Sequence, residues 1–352
     1  MRLLHICLPG KKATYTVIQT CKITNKVNQG TKKTREKIIY NVSVSPHIRD
    51  KSNTTKIMLD VCIALAPTLI FGVCYFGLNA LVVIISSVVS CVLSEAVFEL
   101  ITKKPITVGD LSAVVTGLIL ALNMPPEIAW WVPFIGGVFA IIIVKMLFGG
   151  IGQNIMNPAL AARCFLLISF ASRMTNFTTC HTVDASSSAT PLAVIKAGGS
   201  VNVLDMFIGF QGGCIGEVSA LCILIGFVYL LARKVISPRI PVVVVASSML
   251  FIALFSIGKG LLSVNYMLSQ LFTGGLLSGA VFMANDYATS PITKRGQYIY
   301  SVIIGLLIAC FRVLGSSAEG VSYAIITSNL LVPLIEKITV PKPFGMKKKE
   351  EV

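Results

Sequence analysis

The residues best placed to do chemistry are carboxylates embedded in apolar sequence. Asp60, Glu95 and Glu99 fall inside long hydrophobic runs, Asp110 opens another, and Asp286 stands just beyond the end of a fourth. An ionised carboxylate at membrane depth costs several kcal/mol unless it is paired, hydrated or holding a cation, so such groups mark ion paths. Asp286 leads, because the chain around it, Asn285-Asp286-Tyr287-Ala288-Thr289-Ser290-Pro291, breaks helical pattern and can offer backbone carbonyls as further ligands. Glu95 and Asp60 follow, although Asp60 and Glu99 suit an interfacial position equally well. The ten cysteines and three histidines form no C-x-x-C and no ligand-like cluster, so the expectation is that this chain alone holds no metal or iron–sulfur centre. No Gly-rich strand–helix fingerprint followed by an acid is present, so no NAD site is expected. A last stretch, Asp184-Ala185-Ser186-Ser187-Ser188-Ala189-Thr190-Pro191-Leu192, reads by composition alone as a flexible polar loop.

The elements that must position these groups follow from composition. The 352 residues are 55% hydrophobic and only 13% charged, with a mean hydropathy of +0.82. Soluble domains carry about 25% charged residues, so an ordinary soluble enzyme is excluded and a polytopic membrane protein is expected. Ten apolar runs lie at about 57–77, 80–101, 109–123, 129–148, 155–171, 214–232, 240–257, 267–284, 298–315 and 320–337. Most approach the roughly 20 residues that cross hydrocarbon as a helix. In lipid no backbone polar group can stand bare, so the runs are helices.

The third and eighth runs are short. Thr116-Gly117-Leu118-Ile119-Leu120-Ala121-Leu122-Asn123 matches Ser278-Gly279-Ala280-Val281-Phe282-Met283-Ala284-Asn285, 162 positions later. They occupy equivalent places in two sets of five. Since five is odd, the second set enters the membrane from the opposite face, and the expected fold is an all-α polytopic protein of about ten transmembrane helices in two inverted five-helix repeats. Paired, interrupted short helices point to a site near the midplane. The expected organisation is a basic extension over 1–41, a first repeat over 42–171, an outer loop over 172–213, a second repeat over 214–337 and a basic tail over 338–352.

The net charge of +15, from 30 Lys and Arg against 15 Asp and Glu, fits this orientation. Twelve cations and two acids precede residue 57, and the inner side also carries Lys103, Lys104, Lys145, Arg233, Lys234, Arg239, Lys294 and Arg295. The pattern is positive-inside, with both termini cytoplasmic. Basic residues without interleaved aromatics give no reason to expect nucleic acid. Residues 172–213 are thereby placed on the outer face, with Arg312 among the few cations on that side.

That loop resembles a flavinylation motif, D-x-x-S-G-A-T, through Asp184, Ser187, Ala189 and Thr190, with Ser188 replacing the usual Gly. In the motif, the Thr hydroxyl is esterified to the phosphate of flavin mononucleotide by a dedicated flavin transferase. Three more segments resemble the D subunits of the Rnf complex: Ser43-Val44-Ser45-Pro46-His47-Ile48-Arg49-Asp50, Gly152-Gln153-Asn154-Ile155-Met156-Asn157-Pro158-Ala159, and Phe282 through Pro291. The resemblance spans about residues 42–340; residues 1–40 match nothing in it. It implies a bacterial inner-membrane flavoprotein within an ion-translocating ferredoxin:NAD⁺ oxidoreductase, carrying covalent FMN on Thr190 and, by extension, a non-covalent riboflavin between helices. Its implied partners are the A, B, C, E and G proteins of the Rnf complex, the flavin transferase and the bilayer. Ferredoxin and NAD⁺ would be handled by those partners. A urea-type solute channel shares the inverted five-helix architecture but has no use for the 184–190 motif. The related NqrB-type membrane proteins of the Na⁺-translocating NADH:quinone reductase are a nearer alternative.

Overall fold

The computed structural model describes residues 53–175, 177, 191–196, 202–210, 212–258, 263–315 and 320–341. The expected 1–41 extension, about half of the 172–213 loop, the Asp184–Thr190 stretch within it and the last eleven residues lie outside the described residues.

Each of the ten apolar runs contains a helix. They are α1 (Thr54–Phe76), α2 (Leu78–Thr102), α3 (Ser112–Leu122), α4 (Trp131–Met146) and α5 (Pro158–Ser169) in the first set. Three short helices follow, α6 (Ala171–Met174), α7 (Pro191–Lys196) and α8 (Val203–Ile208). The second set is α9 (Ala220–Ala232), α10 (Arg239–Ile257), the broken pair α11 (Val264–Phe272) and α12 (Leu276–Met283), α13 (Lys294–Leu314) and α14 (Val321–Thr339). Among the described residues five helices are long and apolar enough to cross a membrane, or six if α11 and α12, bent by 56°, count as one span. The others, α3, α4, α5 and α9, are apolar but shorter.

Helix α2 shows why these sequences fold as they do. Its buried face starts with Ala80, Val83 and Ile84 and continues as Ser87, Ser90, Cys91, Ser94, Glu95 and Glu99 at helical spacing, so from Ser87 onward it buries mostly polar groups. Its exposed face carries Leu81, Ile85, Val89, Leu93 and Leu100. This is the reverse of a soluble amphipathic helix, and it suits a helix whose outer face meets lipid.

Small residues then let the helices approach. A side chain at Gly137 of α4 would strike Ser90 and Cys91 of α2, and one at Gly305 of α13 would strike Ser247 and Ser248 of α10. Beside each glycine a serine hydroxyl donates across the contact: Ser90 to the carbonyl of Phe134 at 2.5 Å, Ser247 to that of Ser301 at 3.2 Å. The second and seventh runs thus grip the fourth and ninth by the same device, close backbone approach plus an interhelical hydroxyl. The matched short segments also end alike. The Asn123 amide donates to the Ile119 carbonyl at 2.7 Å and the Asn285 amide to the Val281 carbonyl at 3.1 Å.

The two sets differ at the eighth run. The expectation of one short run over 267–284 is met by a longer element with a break at Thr273–Gly275, where Gly274 and Gly275 both take φ of +66°. That left-handed backbone is open to glycine at little cost. The third run has no such leading helix; a short 3₁₀ turn at Val108–Asp110 and Leu111 at φ +66° lead into it instead.

Candidate functional site

A cavity of about 300 Å³ lies between the two sets of helices. Its wall takes Ser112, Val115 and Thr116 from α3, Lys145 from α4, Asn157 and Pro158 from the start of α5, and Val281, Phe282, Asn285 and Asp286 from the end of α12 and the turn beyond. Two of the singled-out sequence segments, Gly152–Ala159 and Phe282–Ala288, therefore converge on one space. It opens at the ends of the helices that the charge pattern assigns to the inner side.

Local chemistry fixes the wall. Asn157 caps α5, its side-chain oxygen accepting from the amides of Ala159 and Leu160 at 3.1 and 3.4 Å, with Pro158 in the first turn where its missing N–H costs nothing. Its side-chain amide donates to the Met283 carbonyl at 3.3 Å, tying the start of α5 to the last turn of α12. Asp286 sits half-buried in the turn beyond α12, where the Ala288 amide and the Thr289 hydroxyl donate to it at 3.4 and 3.2 Å. Burial pushes its carboxyl above the usual carboxylate range, against the pull of those two hydrogen bonds. Tyr287 next to it donates to the Val235 carbonyl, closing the wall against the loop after α9.

Behind this wall lies a charged relay that sequence reasoning does not assemble. Lys145 is 2% exposed and its ammonium sits 2.6 Å from Glu95 Oε1 and 2.6 Å from the Ser112 hydroxyl. Ser112 in turn donates to Asp110 Oδ1 at 2.6 Å. Glu95, Lys145, Ser112 and Asp110, from α2, α4 and the entry to α3, form one connected set that ends at the cavity. The second oxygen of Glu95, Oε2, is buried without a hydrogen-bond partner. The charge pattern counts Lys145 simply as an inner-side cation; it is a buried residue at the cavity wall. The available signal is a lone Lys inside the apolar run 129–148.

Asp60 is placed elsewhere. It joins α1 to the end of α9 through Arg233, with contacts of 3.2 to 3.4 Å, and accepts from the Tyr229 hydroxyl at 3.0 Å. Arg233 is 57% exposed, so the pair stands at a surface. Glu99 is likewise spoken for, accepting from the amide and the hydroxyl of Thr107 in the following turn. The structure brings Asp286 and the Glu95–Lys145 pair to one cavity, and leaves Asp60 outside it.

Two buried arginines organise the opposite end. Arg163 of α5 reaches the Asn123 side-chain oxygen at 2.7 Å, the Ser322 hydroxyl at 3.1 Å and Glu217 at 3.5 Å. Arg312 of α13 holds the break of the eighth run, donating to the carbonyls of Gln270, Thr273 and Gly274 at 2.5, 2.7 and 2.8 Å. Helix α7, which begins one residue after Thr190, packs on α11 through this region, and its Leu192 lies beside Gly274. Leu192 and Ile195 are both buried. The chain immediately following the flavinylation-like stretch is thus anchored on the broken helix, while Asp184, Ser187, Ser188, Ala189 and Thr190 themselves lie outside the described residues.

Comparison with known proteins gives this architecture a context. A family model described as "NQR2, RnfD, RnfE family" matches residues 41–345. The chain is 48% identical to the D subunit of the Na(+)-translocating ferredoxin:NAD(+) oxidoreductase complex of Acetobacterium woodii, over 87% of this chain and 96% of that protein. It is 38% identical to the D subunit of the proton-translocating ferredoxin:NAD(+) oxidoreductase complex of Clostridium ljungdahlii, over 89% and 98%. A third relative, the D subunit of the ion-translocating oxidoreductase complex of Actinobacillus succinogenes, is 32% identical over 87% and 98%.

Proposed function

Because the chain belongs to the NQR2, RnfD, RnfE family, we propose that it is the D-type membrane component of an ion-translocating ferredoxin:NAD⁺ oxidoreductase. The carrying observation is similarity at 48% and 38% identity, over nearly the whole chain, to D subunits that bear that activity in their names. In this reading the chain relays electrons inside the complex and contributes part of the path of the coupled ion, Na⁺ or H⁺. The A, B, C, E and G proteins of the Rnf complex are its partners, and its place is the bacterial inner membrane with both termini cytoplasmic. The ten helix-bearing runs form two inverted repeats, a reading supported by the Ser90–Gly137 and Ser247–Gly305 contacts and by the like-ended α3 and α12.

FMN is carried on Thr190 by a phosphoester made by a flavin transferase, with Asp184, Ser187, Ser188 and Ala189 as the recognition surround. The described residues support this at one point: Leu192 and Ile195 bury α7 on the bend of the eighth run, so a group tethered just before Pro191 has a fixed post. A flavin there would supply one-electron and two-electron redox capacity without loss by diffusion. The cavity is the ion vestibule, with Asp286 as its leading ligand and the broken backbone around it supplying carbonyls. It is also where a second, non-covalent flavin would find an apolar wall with amide and hydroxyl groups, at the low end of small-molecule pocket volumes.

The test is in-gel flavin fluorescence of the denatured protein after co-expression with the transferase. Fluorescence from the parent chain and its loss in Thr190→Val are expected. A dark parent band, with the transferase active on a known acceptor, overturns the flavin reading.

A further inference from the structure

The chain's most unusual buried group is a cation on the wall of a cavity proposed to receive cations. Lys145 lines the cavity, whereas Glu95 does not; the ammonium stands between the space and the carboxylate. Both partners are almost fully buried, at 2% and 1% side-chain exposure. An ammonium there opposes entry of another cation unless its charge is already balanced. Glu95 Oε1 at 2.6 Å balances it, and Ser112 at 2.6 Å, itself held by Asp110, fixes its direction. A buried pair of this kind adds little stability compared with apolar packing, so a selective role is the better account of its presence.

We infer that Lys145 is the specificity-determining residue of the cavity: its ammonium neutralises Glu95 and leaves Asp286 as the unbalanced carboxylate on the described wall, a charge that one monovalent cation satisfies. This rests on the reading of the cavity as the ion vestibule. Glu95 then acts through Lys145 as a positioning residue and is not itself an ion ligand. Removing the ammonium leaves Glu95 uncompensated behind the wall that Asp286 lines, a doubled negative charge that favours a hard dication over a monovalent ion. Removing Glu95 alone leaves an unbalanced ammonium that repels any cation.

The experiment uses inverted membrane vesicles holding the whole complex, with ferredoxin-driven NAD⁺ reduction and ion uptake read together while Ca²⁺ is titrated. Ion uptake by the parent should be indifferent to Ca²⁺, and uptake by Lys145→Gln should be blocked at roughly 10⁻⁴ to 10⁻³ M Ca²⁺. The double variant Lys145→Gln/Glu95→Gln should lose that block. A Ca²⁺-insensitive Lys145→Gln, or a double variant that stays blocked, overturns the inference. If Lys145→Gln does not assemble, the Glu95 side of the cycle decides. Glu95→Gln should slow ion uptake by about tenfold or more, and the double variant should recover to within about threefold of the parent, the range set by one unit charge at short distance. No recovery makes Glu95 a ligand in its own right and overturns the inference. Asp286→Asn is the separate control: if ions taken up per electron do not change in it, the vestibule reading falls, whatever the Lys145 series shows.

Discussion

At the scale of single residues, the polar groups of this protein are spent on holding backbone and each other. Arg312 satisfies three carbonyls left open by the break of the eighth run. A guanidinium spans them with one rigid fork, whereas an ammonium offers its donors from a single point. Arg312→Lys is therefore expected to destabilise the protein by about 1–3 kcal/mol, the cost of leaving buried acceptors unpaired, measured as a lower unfolding midpoint in detergent. An unchanged midpoint would mean the bend holds itself. The carboxylates are legible in the sequence, because an acid in an apolar run is conspicuous. Their partners are not. Glu95 and Lys145 are 50 positions apart on different helices, and no periodicity links them. Arg312 counts as an outer-side charge for the same reason: sorting cations by side gives their sign and not their contacts.

Elements are easier to read than contacts. The hydrophobic runs foretell where helices lie, since a lipid-facing helix announces itself by length and composition. What composition cannot give is the shape of the eighth run, because Thr273-Gly274-Gly275 inside an apolar stretch is equally compatible with a tight packing face. Nor can it show which glycines matter. Gly137 and Gly305 do, since each faces a serine whose hydroxyl crosses to the neighbouring helix. Gly305→Leu should push α13 off α10 and cost about 1–3 kcal/mol as an overpacking substitution. The same change at exposed Gly77, whose neighbourhood is open, should instead act through its φ of +77°. Melting curves of the pair in one detergent would separate the two causes, and a Gly305→Leu protein as stable as the parent would remove the close-approach argument.

For the whole molecule, the charge asymmetry and the helix order make one statement about orientation. In the proposed topology the 184–190 stretch and the cavity mouth face opposite sides, so electron carrier and ion vestibule are separated by the body of the protein. Impermeant maleimide should label Ser187→Cys from outside intact cells and Lys348→Cys only in inverted vesicles, with the labelled peptides identified by mass spectrometry. Labelling of both from one side would end the ten-crossing topology.

The helix that carries Lys145 has a further property. Over Phe139–Met146 it widens to a π-helical turn, and the same widening recurs at Gly279–Met283 and Cys310–Leu314. A widened turn holds one residue more than the α-helix around it, and each α-helical residue advances the azimuth by about 100°. Everything beyond the turn is therefore phased differently from everything before it, as though two helices with separate registers had been joined end to end. In α4 Gly137, just before the widening, meets α2 at Ser90 and Cys91, and Lys145, within it, meets α2 at Glu95 while lining the cavity. The extra residue lets one rod keep a small residue and then a charged one against the same neighbouring helix. A homologue that lost it could keep its hydropathy profile and its length within one residue, and still present a different side chain to the cavity.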